Sequence, residues 1–93
     1  MESTISVNGI NISLKQAGTG PDMILIHGIF ASKEIMNPLF DYYRKSYHVI
    51  SYDVRGHGKS DKPEKFDLDD YADDLKEIIN ELNLDKPIVI GLS

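Results

Sequence analysis

Pro87-Ile88-Val89-Ile90-Gly91-Leu92-Ser93 is the stretch that decides how this chain folds. Its apolar, β-branched run is typical of a strand buried within a parallel sheet. The run reaches a glycine and, two residues later, a serine. We therefore predict a parallel strand over 87–90, with Ser93 just beyond its carboxyl end.

Gly91-x-Ser93 matches the first half of the G-x-S-x-G nucleophile elbow. In that motif, a sharp turn between a strand and a helix raises a serine hydroxyl above a sheet. The final x-Gly does not occur within the 93 residues. Taken alone, a serine in this position can also be an ordinary polar turn residue, so the rest of the chain has to decide between the two interpretations.

Composition narrows the classes of protein to consider. The 93 residues allow one small domain, and 41% hydrophobic with 27% charged residues indicates a globular chain. A net charge of −5, with Lys and Arg scattered along the chain, argues against nucleic acid and against an anionic lipid surface as partners. The absence of cysteine excludes disulfides, Cys-ligated zinc and a cysteine nucleophile.

The amino terminus, residues 1–4, has neither a basic region nor a long apolar segment, so we expect no signal peptide. No stretch approaches the roughly 20 apolar residues of a membrane span. We therefore expect a cytoplasmic protein with no membrane partner.

Two β patterns open the chain. Ile5 and Val7 alternate with polar residues, Asn8-Gly9 follows, and the alternation resumes over 10–14. Because Asn-Gly suits the positive φ angles of a type I′ turn, this pattern predicts a β-hairpin. The continuous apolar run 23–26 then predicts a strand buried on both faces, ending at His27-Gly28.

A first helix is predicted over about 33–45, with Ser32 as a candidate N-cap. Pro38 lies inside that window, so it either kinks the helix or marks its true first turn with Asn37 as the cap. The apolar stripe expected to face the sheet consists of Ile35, Met36, Leu39, Phe40 and Tyr43.

The β pattern returns over 47–52, with Asp53 at its carboxyl end. After a loop over 54–65, Asp67 is a candidate N-cap for a helix that runs from Leu68 to Leu82 with a regular apolar period. The acidic residues on the other faces of this helix are interpreted as solvated, with a metal or partner site as the alternative. They are Asp69, Asp70, Asp73, Asp74, Glu77 and Glu81.

Strands that alternate with helices at this spacing predict an α/β fold, with a mostly parallel sheet that starts with an antiparallel hairpin. Three loops leave carboxyl ends of the predicted parallel strands, at His27-Gly28, Asp53-Val54 and Gly91-Leu92. Open α/β sheets place their sites at those ends. This coincidence favours a functional interpretation of Ser93.

The loop over 53–60 contains Gly-Lys-Ser but does not match a phosphate-binding P-loop, because Asp53 stands where the motif needs its first glycine. A dinucleotide fingerprint fails as well, since Asp61 occupies the position of its third glycine. We expect Gly56 and Gly58 to allow tight turns. Asp53 and Arg55 are expected to make charge-assisted hydrogen bonds that hold the loop rigid.

Together these motifs resemble the N-terminal part of an α/β-hydrolase-fold enzyme of the small esterase and lactonase type. The resemblance covers nearly all 93 residues and implies that 1–93 are the N-terminal portion of one α/β-hydrolase domain, incomplete as given. The motifs are His27-Gly28, Asp53-x-Arg55-Gly56-x-Gly58-x-Ser60, the helix 68–82 and Ile90-Gly91-Leu92-Ser93.

The resemblance implies that Ser93 is the nucleophile and that the Ile29 backbone N–H is one donor of an oxyanion hole. It implies acyl transfer on an ester, thioester or lactone, with a triad acid, a triad base and a cap that all follow residue 93. Small apolar side chains near the predicted site favour a small, uncharged acyl substrate, and we expect no cofactor. The resemblance further implies that six residues line the pocket or support its loops: His27, Gly28, Phe30, Asp53, Arg55 and His57.

Upstream histidines are not expected to serve as the general base. His48 lies within a strand and is interpreted as structural, while the resemblance assigns His27 and His57 to loop bracing and pocket lining. Metal-ligand spacing such as H-E-x-x-H is absent from the sequence, so no metal is predicted.

Two alternatives to an enzyme stay open, a non-catalytic binding module of this fold and a truncated remnant. A second chain or a downstream segment is expected to complete the fold. For the isolated 93 residues we expect little or no turnover, because an unactivated serine hydroxyl is a weak nucleophile.

Overall fold

The computed structural model describes residues 2–92. Its sheet has the strand order β1-β2-β4-β3-β5, in which β3, β4 and β5 are mutually parallel and the hairpin strands are antiparallel. The predicted α/β class with an antiparallel start is confirmed. The elements are β1 (Glu2–Val7), β2 (Ile10–Ala17), β3 (Asp22–Ile26), a 3₁₀ helix (Lys33–Met36), α1 (Asn37–Tyr43), β4 (His48–Tyr52), α2 (Leu68–Glu81) and β5 (Ile88–Gly91).

The hairpin turn forms as predicted. Asn8 and Gly9 both have positive φ angles, 49° and 82°, and the register pairs Val7 with Ile10. A two-residue turn of this kind matches the right-handed twist of the two strands. The Asn-Gly pair therefore sets the register of the whole hairpin.

The first predicted helix is two elements. A 3₁₀ helix covers 33–36, and α1 begins at Asn37 with Met36 rather than Asn37 as its N-cap. Pro38 marks the first turn, where its missing N–H has no intrahelical acceptor to lose. The predicted stripe is right for three of its five residues: Met36 and Phe40 are buried and Tyr43 packs against the same cluster. Ile35 and Leu39 are exposed, because one α-helical period does not run through the 3₁₀ turn.

The second helix, α2, agrees with its prediction. The Asp67 carboxylate accepts a hydrogen bond from the Asp70 N–H, and the Asp70 carboxylate accepts one from the Asp67 N–H. This reciprocal capping box satisfies two of the amide groups that a helix start leaves unpaired.

The core lies in two layers, one on each face of the sheet. One cluster includes Ile24 and Ile78 and packs α2 against the sheet; the other includes Leu25 and Phe40 and packs α1 against the opposite face. Successive residues of β3 therefore enter opposite layers, which is why its sequence is continuously apolar. The strand predicted over 23–26 is confirmed as buried.

The strand that ends the chain, β5, is parallel as predicted but is not buried. Ile88 and Val89 are 45% and 44% exposed, because β5 pairs with β3 on one side and forms the edge of the described sheet. No helix among residues 2–92 is both long enough and apolar enough to cross a membrane.

Candidate active site

Three strand ends meet at one edge of the sheet, as the sequence predicts. In the register, Ile26 of β3 lies beside Tyr52 of β4 on one side and Gly91 of β5 on the other. The Leu92 N–H donates to the Ile26 carbonyl at 2.9 Å. Leu92 immediately precedes Ser93, which lies outside the described residues, so the assignment of Ser93 as nucleophile stays a prediction.

His27 is buried at the end of β3, and both of its ring nitrogens have partners. Nε2 accepts a hydrogen bond from the Val54 N–H at 3.1 Å, which assigns the proton to Nδ1. Nδ1 then donates to the Gly28 carbonyl at 2.7 Å. His27 therefore has no free lone pair with which to act as a general base, and its geometry is that of a brace between two loops.

Residues 28–32, here called the β3 loop, turn sharply after His27. The Ala31 N–H donates to the Gly28 carbonyl at 3.3 Å, and Phe30 has a φ of 64°. This turn leaves the Phe30 side chain 98% exposed, so the described chain does not place it on a pocket wall. The Ile29 N–H donates no hydrogen bond to any of residues 2–92.

Asp53 is fully buried at the end of β4 and accepts three hydrogen bonds. Its Oδ1 accepts from the Lys33 N–H at 2.7 Å, and its Oδ2 accepts from the Lys33 Nζ at 2.9 Å and from the Lys59 N–H at 3.0 Å. Burial alone would raise the pKa of this carboxyl, but the three donors outweigh burial and hold the pKa below its usual value. The expected charge-assisted hydrogen bonds are present.

The two glycines of residues 53–60, here called the β4 loop, are required by close contacts. Gly58 has a φ of 53°, and a Cβ on it would lie 2.3 Å from the Asp53 Cγ. Gly56 has a φ of 82°, and its Cβ would lie 2.6 Å from the Phe66 ring. The prediction of tight glycine turns is confirmed. Glycine is needed at position 58 because the loop folds closely over Asp53.

Ser60 ends the motif and ties the β4 loop to the hairpin. Its buried hydroxyl donates to the Asp53 carbonyl at 2.6 Å and accepts from the Ser13 N–H at 2.9 Å. The loop is therefore joined both to its own strand and to β2.

Arg55 forms a second buried ion pair, with Asp74 of α2. Arg55 Nε lies 2.7 Å from Asp74 Oδ2, and Arg55 Nη2 lies 2.8 Å from Asp74 Oδ1. The Asn8 amide also donates to Asp74, at 3.0 Å. The prediction that Asp74 lies on a solvated face is therefore wrong, because the side chain points inward to pair with Arg55.

A cavity of about 600 Å³ opens between the β3 loop and α2. Its lining is mainly apolar and includes Ile26, Ile29, Val54, Tyr71, Leu75 and Leu92, with His27 and Gly28 also on the wall. The His57 ring centroid lies 5.4 Å from that of His27, and His57 Nδ1 donates to the Arg55 carbonyl at 3.1 Å. Within 2–92, no three His, Asp or Glu side chains are grouped so that they could hold a metal ion.

The sequence profile of the alpha/beta hydrolase fold matches residues 21–93. The chain belongs to the α/β-hydrolase fold family. The match takes in all three strand-end loops and both helices described above.

Individual α/β hydrolases show the same likeness. The chain is 34% identical over 90 residues to 2-(acetamidomethylene)succinate hydrolase of Mesorhizobium japonicum, across 96% of this chain and 32% of that protein. The crystal structure of E-2-(acetamidomethylene)succinate hydrolase superposes with a TM-score of 0.94 at 33% identity, over 100% of this chain and 35% of the other. The structure of the epoxide hydrolase CorEH superposes with a TM-score of 0.93 at 32% identity, over 98% of this chain and 32% of the other.

These relatives are hydrolases, and the chain spans about a third of the length of those it matches. The fold of this chain therefore corresponds to one part of each of these larger proteins.

Sequence reasoning missed two buried charges near this α/β-hydrolase site. For Asp74 a signal exists, because it lies three residues after Tyr71 and four before Ile78, on the apolar face of the helical period. For Lys33 no local signal exists, since its partner Asp53 is 20 residues away in the sequence.

Proposed function

We propose that the protein is a serine hydrolase that cleaves a carboxylic ester, thioester or lactone through an acyl-enzyme at Ser93. The observation that supports the proposal is the end of β5: Gly91 and Leu92 lie beside the end of β3, next to the β3 loop, where the Ile29 N–H has no partner within 2–92. Ser93 follows Leu92 directly in the sequence. A nucleophile and an oxyanion donor need this proximity.

The chemistry follows the acyl-transfer pattern. Ser93 Oγ attacks the carbonyl carbon while a histidine, expected after residue 93, takes the hydroxyl proton. The carbonyl oxygen becomes an oxyanion that accepts a hydrogen bond from the Ile29 N–H. As the intermediate collapses, the histidine gives its proton to the leaving oxygen or sulfur; an alcohol or thiol departs from an ester or thioester, whereas the new hydroxyl of a lactone stays on the acyl group. The same histidine then deprotonates water, which attacks the acyl-enzyme, and returns the proton to Ser93 Oγ as the acid is released.

The serine also favours acyl substrates over epoxides, although an epoxide hydrolase is among the similar structures. Attack of a serine oxygen on an epoxide carbon would leave an ether, and ethers do not hydrolyse under mild conditions. Attack on an acyl carbon leaves an ester, which water cleaves readily.

The substrate class is best explored with uncharged acyl compounds first. The cavity lining in residues 2–92 is mainly apolar and the chain carries a net charge of −5, neither of which attracts an anionic acyl group. The Mesorhizobium relative is named for a succinate carrying an acetamido group, so an N-acyl substrate with carboxylates is the matched comparison in a substrate panel.

We further propose that a downstream segment or a second chain completes the sheet beside β5. The support is the exposed edge itself, where Ile88, Val89 and Leu92 are each 44% exposed or more. Exposed apolar edge strands pair readily with other chains. A clean folded monomer of the 93-residue chain, by light scattering, would contradict this proposal.

The hydrolase proposal is tested by labelling the full-length protein with a fluorophosphonate probe. We expect labelling of the wild type, loss of labelling and of ester hydrolysis in Ser93→Ala, and no loss in the exposed-serine control Ser46→Ala. A folded wild-type protein that is inert to the probe would show that the serine-hydrolase proposal is wrong. Ligand binding without labelling would instead favour a binding module.

A further inference from the structure

The two ends of the β3 loop are held by consecutive residues, Asp53 and Val54, which follow β4. At the first end, the Val54 N–H donates to His27 Nε2. At the second end, the Asp53 carboxylate accepts the Lys33 N–H at 2.7 Å. The loop that carries Ile29 is therefore suspended between two anchors on one neighbouring strand end.

We propose that the Lys33–Asp53 pair is a positioning unit that sets where the Ile29 N–H points. The inference rests on the proposed acyl-transfer function, in which that N–H binds the oxyanion. It assigns a role to Lys33, which neither contacts the cavity nor belongs to a catalytic motif.

The geometry makes the two side chains one unit. Lys33 and Asp53 are both 0% exposed, and Lys33 Nζ lies 2.9 Å from Asp53 Oδ2 and 3.2 Å from Ser13 Oγ. Glu2 and Glu34 add carboxylate oxygens at 3.1 and 3.3 Å from the same nitrogen. A buried carboxylate without its cation is costly and tends to protonate, so the lysine keeps Asp53 ionised and able to accept from the Lys33 and Lys59 amides.

The loop has little else to fix it. The other hydrogen bonds of the loop lie at its two ends: the Gly28 carbonyl accepts from His27 Nδ1 at 2.7 Å and from the Ala31 N–H at 3.3 Å, and the Ser32 carbonyl accepts from the Ile35 N–H at 3.1 Å. The Ser32 hydroxyl donates to the Glu34 carboxylate at 2.9 Å. None of these bonds involves Ile29. An oxyanion donor must lie within about 2.7–3.1 Å of the developing charge, and a misplacement of about 1 Å can cost a factor on the order of 100 in rate. Loss of the anchor at residue 33 would therefore affect the transition state more than substrate binding.

The second buried pair supplies the matched control. Arg55–Asp74 ties the β4 loop to α2, and within 2–92 neither side chain forms a hydrogen bond with His27, Lys33 or Asp53. Asp74→Asn and Asp53→Asn are the same chemical change, each in a buried ion pair. They should differ in catalysis if the Lys33–Asp53 pair positions Ile29.

The experiment measures kcat, KM and the affinity of a trifluoromethyl ketone, whose tetrahedral adduct carries an oxyanion, in the full-length protein. Asp53→Asn and the milder Lys33→Gln are expected to lower kcat and ketone affinity together by about 10- to 100-fold, with KM changed less than about threefold. Asp74→Asn is expected to leave kcat and ketone affinity within about twofold of the wild type.

Each other outcome overturns the inference. The inference is wrong if kcat is unchanged in Asp53→Asn and Lys33→Gln. It is also wrong if all three variants lose kcat in proportion to the fall in their melting temperatures. If Asp53→Asn does not fold, Lys33→Gln decides by the same criteria; if neither folds, the pair is structural and the positioning role is rejected. Fluorophosphonate labelling of the wild type separates the two hypotheses: an unlabelled wild type refutes the proposed function, whereas a labelled wild type with equally fast variants refutes the positioning role.

Discussion

The two ends of the parallel strands hold their charges in different ways. At the carboxyl end, Asp53 is completely buried and is surrounded by backbone amides and a lysine. At the amino end, Asp22 accepts from the Asp85 N–H at 2.8 Å and pairs with His48 at 2.8 Å, but both side chains of that pair stay partly exposed.

The two arrangements differ in how much free energy of unfolding is lost when a partner is removed. A buried, fully paired network is costly to disrupt, because each group that loses its partner stays away from water. A partly exposed pair contributes less, since water can replace a lost partner. We therefore expect substitutions at the carboxyl end to cost several times more free energy of unfolding than matched substitutions at the amino end.

The largest effect is expected for Gly58→Ala. The new Cβ would lie 2.3 Å from the Asp53 carboxyl, and Asp53 cannot move without breaking its ion pair. Left-handed strain and overpacking together should lower the free energy of unfolding by about 3–5 kcal/mol. Urea unfolding of the full-length protein measures this, with Gly9→Ala as control: its φ is 82°, nothing lies within 4 Å of the new Cβ, and about 1 kcal/mol is expected. Equal costs for the two variants would contradict the close packing over Asp53.

A smaller loss is expected for Asp74→Asn. The substitution leaves the Arg55 guanidinium buried without its counter-charge, and we expect a loss of about 2–3 kcal/mol in the free energy of unfolding. Asp73→Asn, one residue away on an exposed part of α2, should stay within about 0.5 kcal/mol of the wild type. If both variants unfold at the same urea concentration, Asp74 is not held by Arg55 as the structure indicates.

The smallest effect is expected for Asp22→Asn at the amino end, about 0.5–1 kcal/mol at pH 7. The Asp85 N–H and then His48 hold the pKa of Asp22 below its usual value in the folded protein. A carboxyl of this kind stabilises the fold above its unfolded pKa of about 3.9 and loses that contribution as the pH falls through the lower folded pKa. The difference between wild type and variant should therefore shrink between pH 5 and pH 2, as measured by thermal unfolding. A difference that grows between pH 5 and pH 2 would contradict the assigned direction.

Much of the fold was predictable because its signals are local. Asn8-Gly9 specifies a turn by its φ angles, and the capping box at Asp67 with the apolar period after it specifies α2. The candidate site was predictable in outline for a different reason: parallel strands share one carboxyl edge, so three loops could be placed together before any contact was known.

The errors have a common cause as well. Ile35 and Leu39 are predicted to face the sheet because a single helix period is extended over 33–45, although the chain changes from 3₁₀ to α between Met36 and Asn37. Asp74 was assigned to solvent by its residue type, although the helical period places it on the buried face. In both cases one local feature, a single helical period or a residue type, was given more weight than the other signals at the same position.

By itself, the sequence determined the α/β class of this chain, the hairpin register, helix α2, and the meeting of three loops at one carboxyl edge of the sheet. Only the tertiary structure decided which charges pair, which tautomer His27 adopts, and that the β3 loop is anchored by Asp53 and Val54. The physical reason is range: turn and helix signals act over a few residues, whereas Lys33 and Asp53 are 20 residues apart and Arg55 and Asp74 are 19 apart. Such pairs form only when the sheet brings separate strand ends together.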